Sequence, residues 1–287
     1  MTGTLRAKLR DLRYALPGRI GGRLPAPGPV AALRICARLH RQGFDTTLGY
    51  FQADDAAPED IVVAYRAVAT RLRASAGDVY LSIKAPPLAF AAAPTDAIAA
   101  LGHSLLFDAH APRDAAATHA LAEQVRADHP ATGLALPARW RRSADDARAL
   151  RDTAARLRVV KGEWPDEVGN DEAGDGDAVD GKDTTSRYLA LIAQLAGRSG
   201  PVAVATHDPA LAEAALRLLR RAGTPCELEQ LRGLPRRRTV AVARRLGVPV
   251  RIYVPFGPGW WPYAINQALA RPYLPLWALR DALAIRD

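Results

Sequence analysis

The stretch that decides the fold is Arg251-Ile-Tyr-Val-Pro-Phe-Gly-Pro-Gly-Trp-Trp-Pro-Tyr-Ala-Ile-Asn-Gln-Ala-Leu-Ala-Arg-Pro272. Residues 250–254 form an apolar run of strand length, and the Pro and Gly residues at 255–259 predict a loop after it. A helix is expected after Pro262, because proline suits a first turn. The aromatic side chains at 260, 261 and 263 provide a wall for a ring-shaped ligand, and plugging the end of a core is the other interpretation.

Working back from this stretch, seven more short β-rich runs alternate with helical segments. The predicted strands lie at 46–51, 79–84, 104–109, 133–137, 157–161, 200–206 and 225–229. Helical patterns occupy 30–42, 58–74, the segment up to 127, the segment after 143, 209–221 and 235–246. Such alternation predicts a parallel sheet, and eight strands in one chain of this length favour a closed (β/α)8 TIM-type barrel. An open doubly wound sheet is the alternative, but no Gly-x-Gly-x-x-Gly follows any strand.

Two segments stand outside the repeating pattern. Residues 1–27 form a basic N-terminal arm with Leu5, Leu9, Leu12 and Leu16 at helical spacing, which is typical of a packed arm or of a helix that touches a membrane. The barrel is expected to fill residues 28–287. An acidic loop insertion at 166–183 interrupts it, without the fixed spacing of a calcium loop, and we expect a disordered segment above the barrel face.

Charge and cysteine content limit the partners. The 287 residues carry a net charge of +9, although the insertion alone holds eight acids and one lysine. No basic stretch is interleaved with aromatics, so nucleic acid is not an expected partner. Cys36 and Cys226 lack metal-site spacing, so no metal is expected, and two scattered thiols suit a reducing, cytoplasmic setting. No apolar run is long enough to span a membrane.

Polar residues at the predicted strand ends are the candidates for chemistry, because the active sites of such barrels lie at the carboxyl ends of the strands. Only four lysines occur against 35 arginines, and two of the four, Lys84 and Lys161, end strands. An ammonium there is a candidate functional group, while capping of strand carbonyls is the alternative. The other candidates from this edge are Gln52, Asp108, His110, Arg139, Trp164, His207, Asp208, Glu229, Arg232 and Tyr253.

Several motifs resemble those of the proline dehydrogenase family of FAD-dependent (β/α)8 barrels. The match begins with Tyr253, Pro255, Gly257 and Tyr263, which follow the family's final strand and helix. It continues in Ser82-Ile-Lys84, Phe107-Asp108-Ala109, Arg158-Val-Val-Lys-Gly162, Ala205-Thr-His-Asp208 and Glu227-Leu-Glu-Gln-Leu-Arg-Gly233. Their common order and spacing, over about residues 43–270, carry the resemblance.

The resemblance implies roles for individual residues. Arg158, Lys161, Trp164, Thr206, His207 and Glu229 are expected to lie around FAD. Lys84, Asp108, Tyr253 and Tyr263 are expected to line the substrate position. The implied reaction is hydride transfer from the carbon beside a substrate nitrogen to flavin N5, with the protein positioning the substrate and excluding water.

The departures concentrate where the family binds the substrate carboxylate. Asn266 and Gln267 stand where the family has paired arginines, and Gln52 stands where it has their glutamate partner. Loss of both charge-assisted bonds, about 1.5–3 kcal/mol each, predicts weaker binding of a carboxylate. Arg139 or Arg232 could replace the clamp.

The resulting hypothesis is FAD-dependent oxidation of proline or a proline-like cyclic amine with an altered carboxylate site. A non-catalytic barrel that binds a ligand or partner is the rival, motivated by Pro137, Glu229, Asn266 and Gln267. The basic surface leaves open contact with a quinone acceptor at the inner membrane face. The sequence does not determine the oligomeric state.

Overall fold

A computed structural model describes residues 26–72, 78–162 and 184–270, the side chains of 266–270 excepted. The N-terminal arm up to residue 25, Trp164, the acidic loop at 166–183 and the side chains of Asn266 and Gln267 therefore lie outside the described residues. The predicted end of the second helix, at 73–74, lies outside them as well.

Eight parallel strands close into a barrel, each paired with the next and the last paired with the first. They are β1 (Asp45–Tyr50), β2 (Val79–Ile83), β3 (Ser104–Phe107), β4 (Gly133–Pro137), β5 (Leu157–Val160), β6 (Val202–Ala205), β7 (Cys226–Leu231) and β8 (Val250–Phe256). The predicted TIM-type barrel is confirmed, and a doubly wound sheet is excluded because β1 pairs with β8 over six residues.

Nine described helices accompany the strands. They are α1 (Pro29–Arg41), α2 (Pro58–Leu72), α3 (Ala92–Ala99), α4 (Ala115–Asp128), α5 (Ser143–Ala149), α6 (Thr184–Leu195), α7 (Pro209–Arg221), α8 (Arg237–Arg245) and α9 (Trp260–Ala270). Helix α1 precedes the first strand and packs against both β1 and β8. It thereby covers the seam where the barrel closes.

Four differences from the sequence prediction stand out, and two of them lie in the last strand and helix. Strand β8 continues through Pro255 to Phe256. The carbonyl of Tyr253 faces β7, and Pro255 faces the same side, where β7 has already ended at Leu231. Its missing N–H therefore costs no ladder bond. Helix α9 begins at Trp260, ahead of Pro262, because first-turn N–H groups need no helical partner.

The remaining two differences concern a short helix and a longer strand. The sequence pattern indicated no helix at Ala92–Ala99, where an alanine-rich segment of eight residues shows no strong apolar stripe. Strand β7 runs two residues further than predicted, to Leu231. Glu229 consequently lies within the strand, opposite Arg251 of β8, rather than at the strand end.

The barrel interior is polar and charged, in contrast to the branched apolar filling usual for this fold. Residues two apart on a strand point to the same face. Accordingly, Arg156, directly before β5, and Arg158 of β5 both point inward, as do Glu227 and Glu229 of β7. An apolar shell of strand and helix side chains, including Leu48, Val204 and Leu216, surrounds this interior.

The described residues contain neither a membrane-spanning helix nor a metal-binding cluster. None of their helices is both long and apolar enough to cross a bilayer. Within the same ranges, no three His, Cys, Asp or Glu side chains cluster in a way that would hold a metal ion.

Candidate active site

The lower layer of the barrel interior is a set of buried ion pairs. Arg251 Nε lies 3.0 Å from Glu227 Oε1, and its Nη1 donates to the carbonyl of Thr46 at 2.7 Å. Arg156 also pairs with Glu227. The guanidinium carbons of Arg156 and Arg251 lie 4.4 and 4.7 Å from the centroid of the Tyr80 ring. Because each charge has a partner, this layer acts as a rigid floor under the site.

The upper layer centres on Arg158 and Glu229. Arg158 donates two parallel hydrogen bonds to the Glu229 carboxylate, from Nε to Oε2 at 2.8 Å and from Nη2 to Oε1 at 2.7 Å. Thr47 donates a third bond to Oε1 at 2.9 Å. Burial alone would raise the pKa of Glu229, but Arg158 and then Arg156 outweigh it and lower that pKa to about 2. Glu229 is therefore a fixed anion under physiological conditions.

Asp108 is the hub that links the upper layer to the barrel mouth. Its Oδ1 accepts from Ser82 Oγ at 2.7 Å and from Arg158 Nη1 at 2.5 Å. Its Oδ2 accepts from the Tyr253 hydroxyl at 3.0 Å and lies 3.7 Å from Lys84 Nζ. One carboxylate thus holds a guanidinium, an ammonium and two hydroxyls in a single geometry.

Lys84 occupies an enclosed position at the end of β2, with its side chain 14% exposed. Its Nζ donates to the carbonyl of Tyr50 at 3.1 Å and lies 3.9 Å from the centroid of the Phe51 ring. Burial lowers the pKa of Lys84, while the charge of Asp108 opposes that shift. Lys84 therefore both caps a strand carbonyl and lies beside Asp108.

Gly49 makes the position of Tyr253 possible. A Cβ at residue 49 would lie 1.8 Å from the Tyr253 hydroxyl oxygen and 2.4 Å from its Cζ. Any side chain there would push the ring off β1 and away from Asp108. Burial, followed by the charge of Asp108, raises the pKa of Tyr253, so the phenol stays protonated and donates its hydrogen bond.

The aromatic residues of the opening stretch form part of a cluster beside Lys84. The Phe51 ring centroid lies 5.3 Å from that of Trp260 and 5.0 Å from that of Tyr263. The Trp260 and Tyr263 centroids are 5.8 Å apart. Trp260 is buried, whereas Tyr263 is partly exposed. The buried Trp260 ring thus packs into the core, while the partly exposed Tyr263 ring can form part of a wall for a ligand.

Cations also lie along the ends of β4 and β5. The half-buried Arg139 has a buried Nε without a hydrogen-bond partner among the described residues. Lys161 Nζ lies 3.7 Å from Asp208 Oδ2, and its side chain is 41% exposed. Between them, Gly162 has a φ of +92°, and a Cβ there would come within 3.3 Å of Pro137. These strand ends form a rim. It combines the Arg139 Nε–H, which has no partner among the described residues, and the partly exposed Lys161 ammonium with a glycine that allows close packing of the backbone.

The residues after β6 hold neighbouring loops together. His207 Nδ1 lies 2.7 Å from the carbonyl of Pro235, and its Nε2 accepts from the Leu231 N–H at 3.2 Å. Both ring nitrogens thus bind backbone. Thr206 Oγ1 accepts from the N–H of Asp208 at 3.2 Å, and the Thr206 carbonyl accepts from Gln230.

The structure does not bring every candidate together. Lys84, Asp108, Arg158, Glu229 and Tyr253 form one connected network. Arg232 instead lines a groove with residues of α1. Sequence reasoning missed that Thr47 contacts Glu229 and that Gly49 makes room for Tyr253. The signal available for them was their two-residue spacing on β1, which places both on the same face of the strand.

No family model matches the chain. Over 170 residues it is 27% identical to proline dehydrogenase 1 of Bacillus subtilis strain 168, which covers 58% of this chain and 54% of that relative. The chain thus spans about half the length of the curated relative. The similarity to this proline dehydrogenase is confined to somewhat more than half of the chain.

Solved structures of proline utilization A share the barrel fold of this chain. The protein from Bdellovibrio bacteriovorus, inactivated by N-propargylglycine, superposes with a TM-score of 0.71 at 15% identity, over 92% of this chain and 34% of that chain. The protein from Corynebacterium freiburgense gives a TM-score of 0.68 at 15% identity, over 96% of this chain and 34% of that chain. The two structural matches cover nearly the whole chain, and they concern its fold.

Proposed function

We propose that this chain is an FAD-dependent oxidoreductase that oxidises proline or a proline-like cyclic amine. The observation that carries the proposal is the network around Asp108. It joins Lys84 and Asp108, which directly follow the carboxyl ends of β2 and β3, to Arg158 of β5 and Tyr253 of β8. Barrel enzymes hold their active sites at those strand ends. The same residues match the motifs of the proline dehydrogenases, and the sequence similarity to the Bacillus subtilis enzyme supports this assignment.

The rim of the barrel fits a flavin dinucleotide. Arg139 offers a buried N–H that has no partner among the described residues, and Lys161 offers an exposed ammonium, so both suit a pyrophosphate. Gly162 lets the backbone pass close to Pro137 and Arg139, where a Cβ would come within 3.3 and 3.4 Å of their side chains. Arg139, Lys161 and Thr206 are therefore the residues that would hold FAD, with the ring face of His207 beside them. The chemistry that FAD supplies when bound is the acceptance of a hydride at N5.

The chain's own residues would bind and orient the amine. Asp108 is an anion that two cations and two hydroxyls hold in place, so it can attract a substrate nitrogen without moving. The rings of Phe51, Trp260 and Tyr263 shield that position from water and suit a small saturated ring. Lys84, whose pKa burial lowers, is placed to exchange a proton with the amine through Asp108.

The altered carboxylate site is part of the proposal. Helix α9 carries Asn266 and Gln267 where the proline dehydrogenases carry paired arginines, and Gln52 replaces their acidic partner. The acid and its cationic partner are thus both neutral here, which favours a remodelled site over a decayed one. Transfer of the electrons to a membrane quinone belongs to the same proposal.

The test uses the visible spectrum of the purified protein. We expect bound FAD to bleach without oxygen when proline or pyrrolidine is added. Asp108→Asn should keep the flavin but slow bleaching about ten- to a hundred-fold, because charge-assisted hydrogen bonds are lost. Asp128→Asn, on an exposed carboxylate, is the matched control. A colourless protein that takes up no added FAD would refute the proposal.

A second experiment separates a remodelled site from a lost one. The combined change of Gln52→Glu, Asn266→Arg and Gln267→Arg restores the charged set. Oxidation of amines by the unaltered protein, with faster turnover of proline in the triple variant, would support remodelling. FAD binding with no amine oxidation in either protein would favour the non-catalytic barrel.

A further inference from the structure

The buried hydroxyl of Tyr65, in α2, joins the ends of two neighbouring strands. Tyr65 is 1% exposed. Its oxygen accepts a hydrogen bond from the Tyr50 N–H at 3.0 Å and donates one to the carbonyl of Ser82 at 2.5 Å. Tyr50 is the last residue of β1, and Ser82 belongs to the last residue pair between β1 and β2. One phenol therefore fixes these two strand ends relative to each other at the barrel mouth.

The same two residues also hold groups of the candidate active site. The Tyr50 carbonyl accepts a hydrogen bond from Lys84 Nζ at 3.1 Å. The Ser82 hydroxyl donates to Asp108 Oδ1 at 2.7 Å. The backbone N–H and carbonyl that bind Tyr65 thus belong to the residues that hold Lys84 and Asp108. A shift of either strand end would move these two groups relative to each other.

Aromatic packing holds the Tyr65 ring in this position. Its centroid lies 6.2 Å from that of Tyr50 and 6.1 Å from that of Phe256, both in edge-to-face geometry. Burial raises the pKa of Tyr65, so the phenol stays protonated and keeps donating to the Ser82 carbonyl. The contact therefore persists throughout the physiological pH range.

A second buried tyrosine makes a similar bond on the opposite side of the barrel. The Tyr188 hydroxyl, in α6, donates to the carbonyl of Val159 at 2.9 Å. Val159 and Val204 are the last residue pair between β5 and β6, which lie opposite β1 and β2 in the closed barrel. Because their side chains are apolar, they make no side-chain hydrogen bond to Lys84 or Asp108. Tyr188 thus supports a strand end without the link to the active-site groups.

We propose that Tyr65 is a positioning residue that sets the geometry between Lys84 and Asp108. It acts through Tyr50 and Ser82. This role rests on the proposed amine oxidation, in which Lys84 exchanges a proton with the substrate through Asp108. Small displacements between such groups have large effects on rate, because proton transfer requires hydrogen-bonding distance. Loss of the Tyr65 hydroxyl should therefore slow the chemical step more than it weakens amine binding.

Tyr65→Phe removes the hydroxyl and keeps the ring, and Tyr188→Phe is the matched control. With FAD saturating and oxygen excluded, Tyr65→Phe should lower the limiting rate of flavin bleaching by pyrrolidine at least about tenfold. The half-saturating amine concentration should change less than about threefold. Tyr188→Phe should keep the limiting rate within about twofold, although urea should unfold both variants at similarly lowered concentrations. Ser82→Ala, which keeps the backbone contacts of Tyr65, should slow bleaching as Tyr65→Phe does.

Lysine labelling measures the same effect without any turnover. Trinitrobenzenesulfonate modifies accessible amines, and mass spectrometry distinguishes the four lysines of the chain. Lys84, whose side chain is 14% exposed, should be labelled at least about threefold faster in Tyr65→Phe than in the unaltered chain or in Tyr188→Phe. Lys161, whose side chain is 41% exposed, should react alike in all three proteins and is the internal standard.

Equal behaviour of Tyr65→Phe and Tyr188→Phe in either measurement would overturn the proposal, because it would reduce Tyr65 to a structural contact. Unchanged bleaching in Ser82→Ala would exclude the path to Asp108, and this variant decides the matter should Tyr65→Phe fail to fold. If no form of the protein oxidises an amine, the proposed function fails. The labelling of Lys84 then decides whether Tyr65 positions it.

Discussion

Replacement of Glu229 by glutamine should strongly destabilise the protein at neutral pH. The carboxylate is buried, accepts both bonds of the Arg158 fork, and lies 3.4 Å from Arg156. The variant retains the side-chain volume but leaves these guanidinium groups with one anion fewer. Breaking a buried pair in this way typically costs about 3–5 kcal/mol.

The pKa of Glu229 gives an independent magnitude. Its fall from 4.5 to about 2 corresponds to about 3 kcal/mol, at 1.36 kcal/mol per unit. Because the folded-state pKa is depressed, this stabilisation is fully present above pH 4.5 and is lost as the pH falls towards 2. The unaltered chain and Glu229→Gln should therefore converge in stability as the pH is lowered from 5 to 3.

Urea unfolding at pH 7, 5, 4 and 3 measures both effects. Glu213→Gln is the control, because Glu213 is also paired with arginines but lies on the surface, and its free energy of unfolding should not change measurably. The reasoning fails if Glu229→Gln loses less than about 1 kcal/mol at pH 7, or if its loss is the same at every pH.

Two further changes test the packing. Gly49→Ala should displace Tyr253 and destabilise the fold by about 1–3 kcal/mol in urea unfolding. Gly28→Ala is the control and should be neutral, because there is open space around Gly28. Equal effects of the two changes would contradict the close approach of Tyr253 to Gly49. Burial raises the pKa of Cys36 to about 11, so Ellman's reagent should label the half-buried Cys226 in the folded protein and Cys36 only after denaturation. Labelling of Cys36 at a rate equal to that of Cys226 would show that its site is open.

Much of the barrel was predictable because its strands and helices are local. The period-two and helical patterns at Val202–Ala205 and Pro209–Arg221 depend only on neighbours in the chain, and the predicted helix agrees with the observed one. The short alanine-rich helix at Ala92–Ala99 escaped prediction because it shows no strong stripe and owes its position to packing on α2 and α4. Pattern alone therefore identifies strong elements and misses weak ones.

The sequence by itself determined the fold class and placed Lys84 and Asp108 at the ends of consecutive strands. Only the tertiary structure decided that Glu229 binds Arg158 and that Arg232 lines the groove against α1. It also decided that both nitrogens of His207 bind backbone. The physical reason is that such contacts join residues about 28 to more than 70 positions apart, through barrel closure and strand register, and local side-chain patterns carry no information about a partner across the barrel.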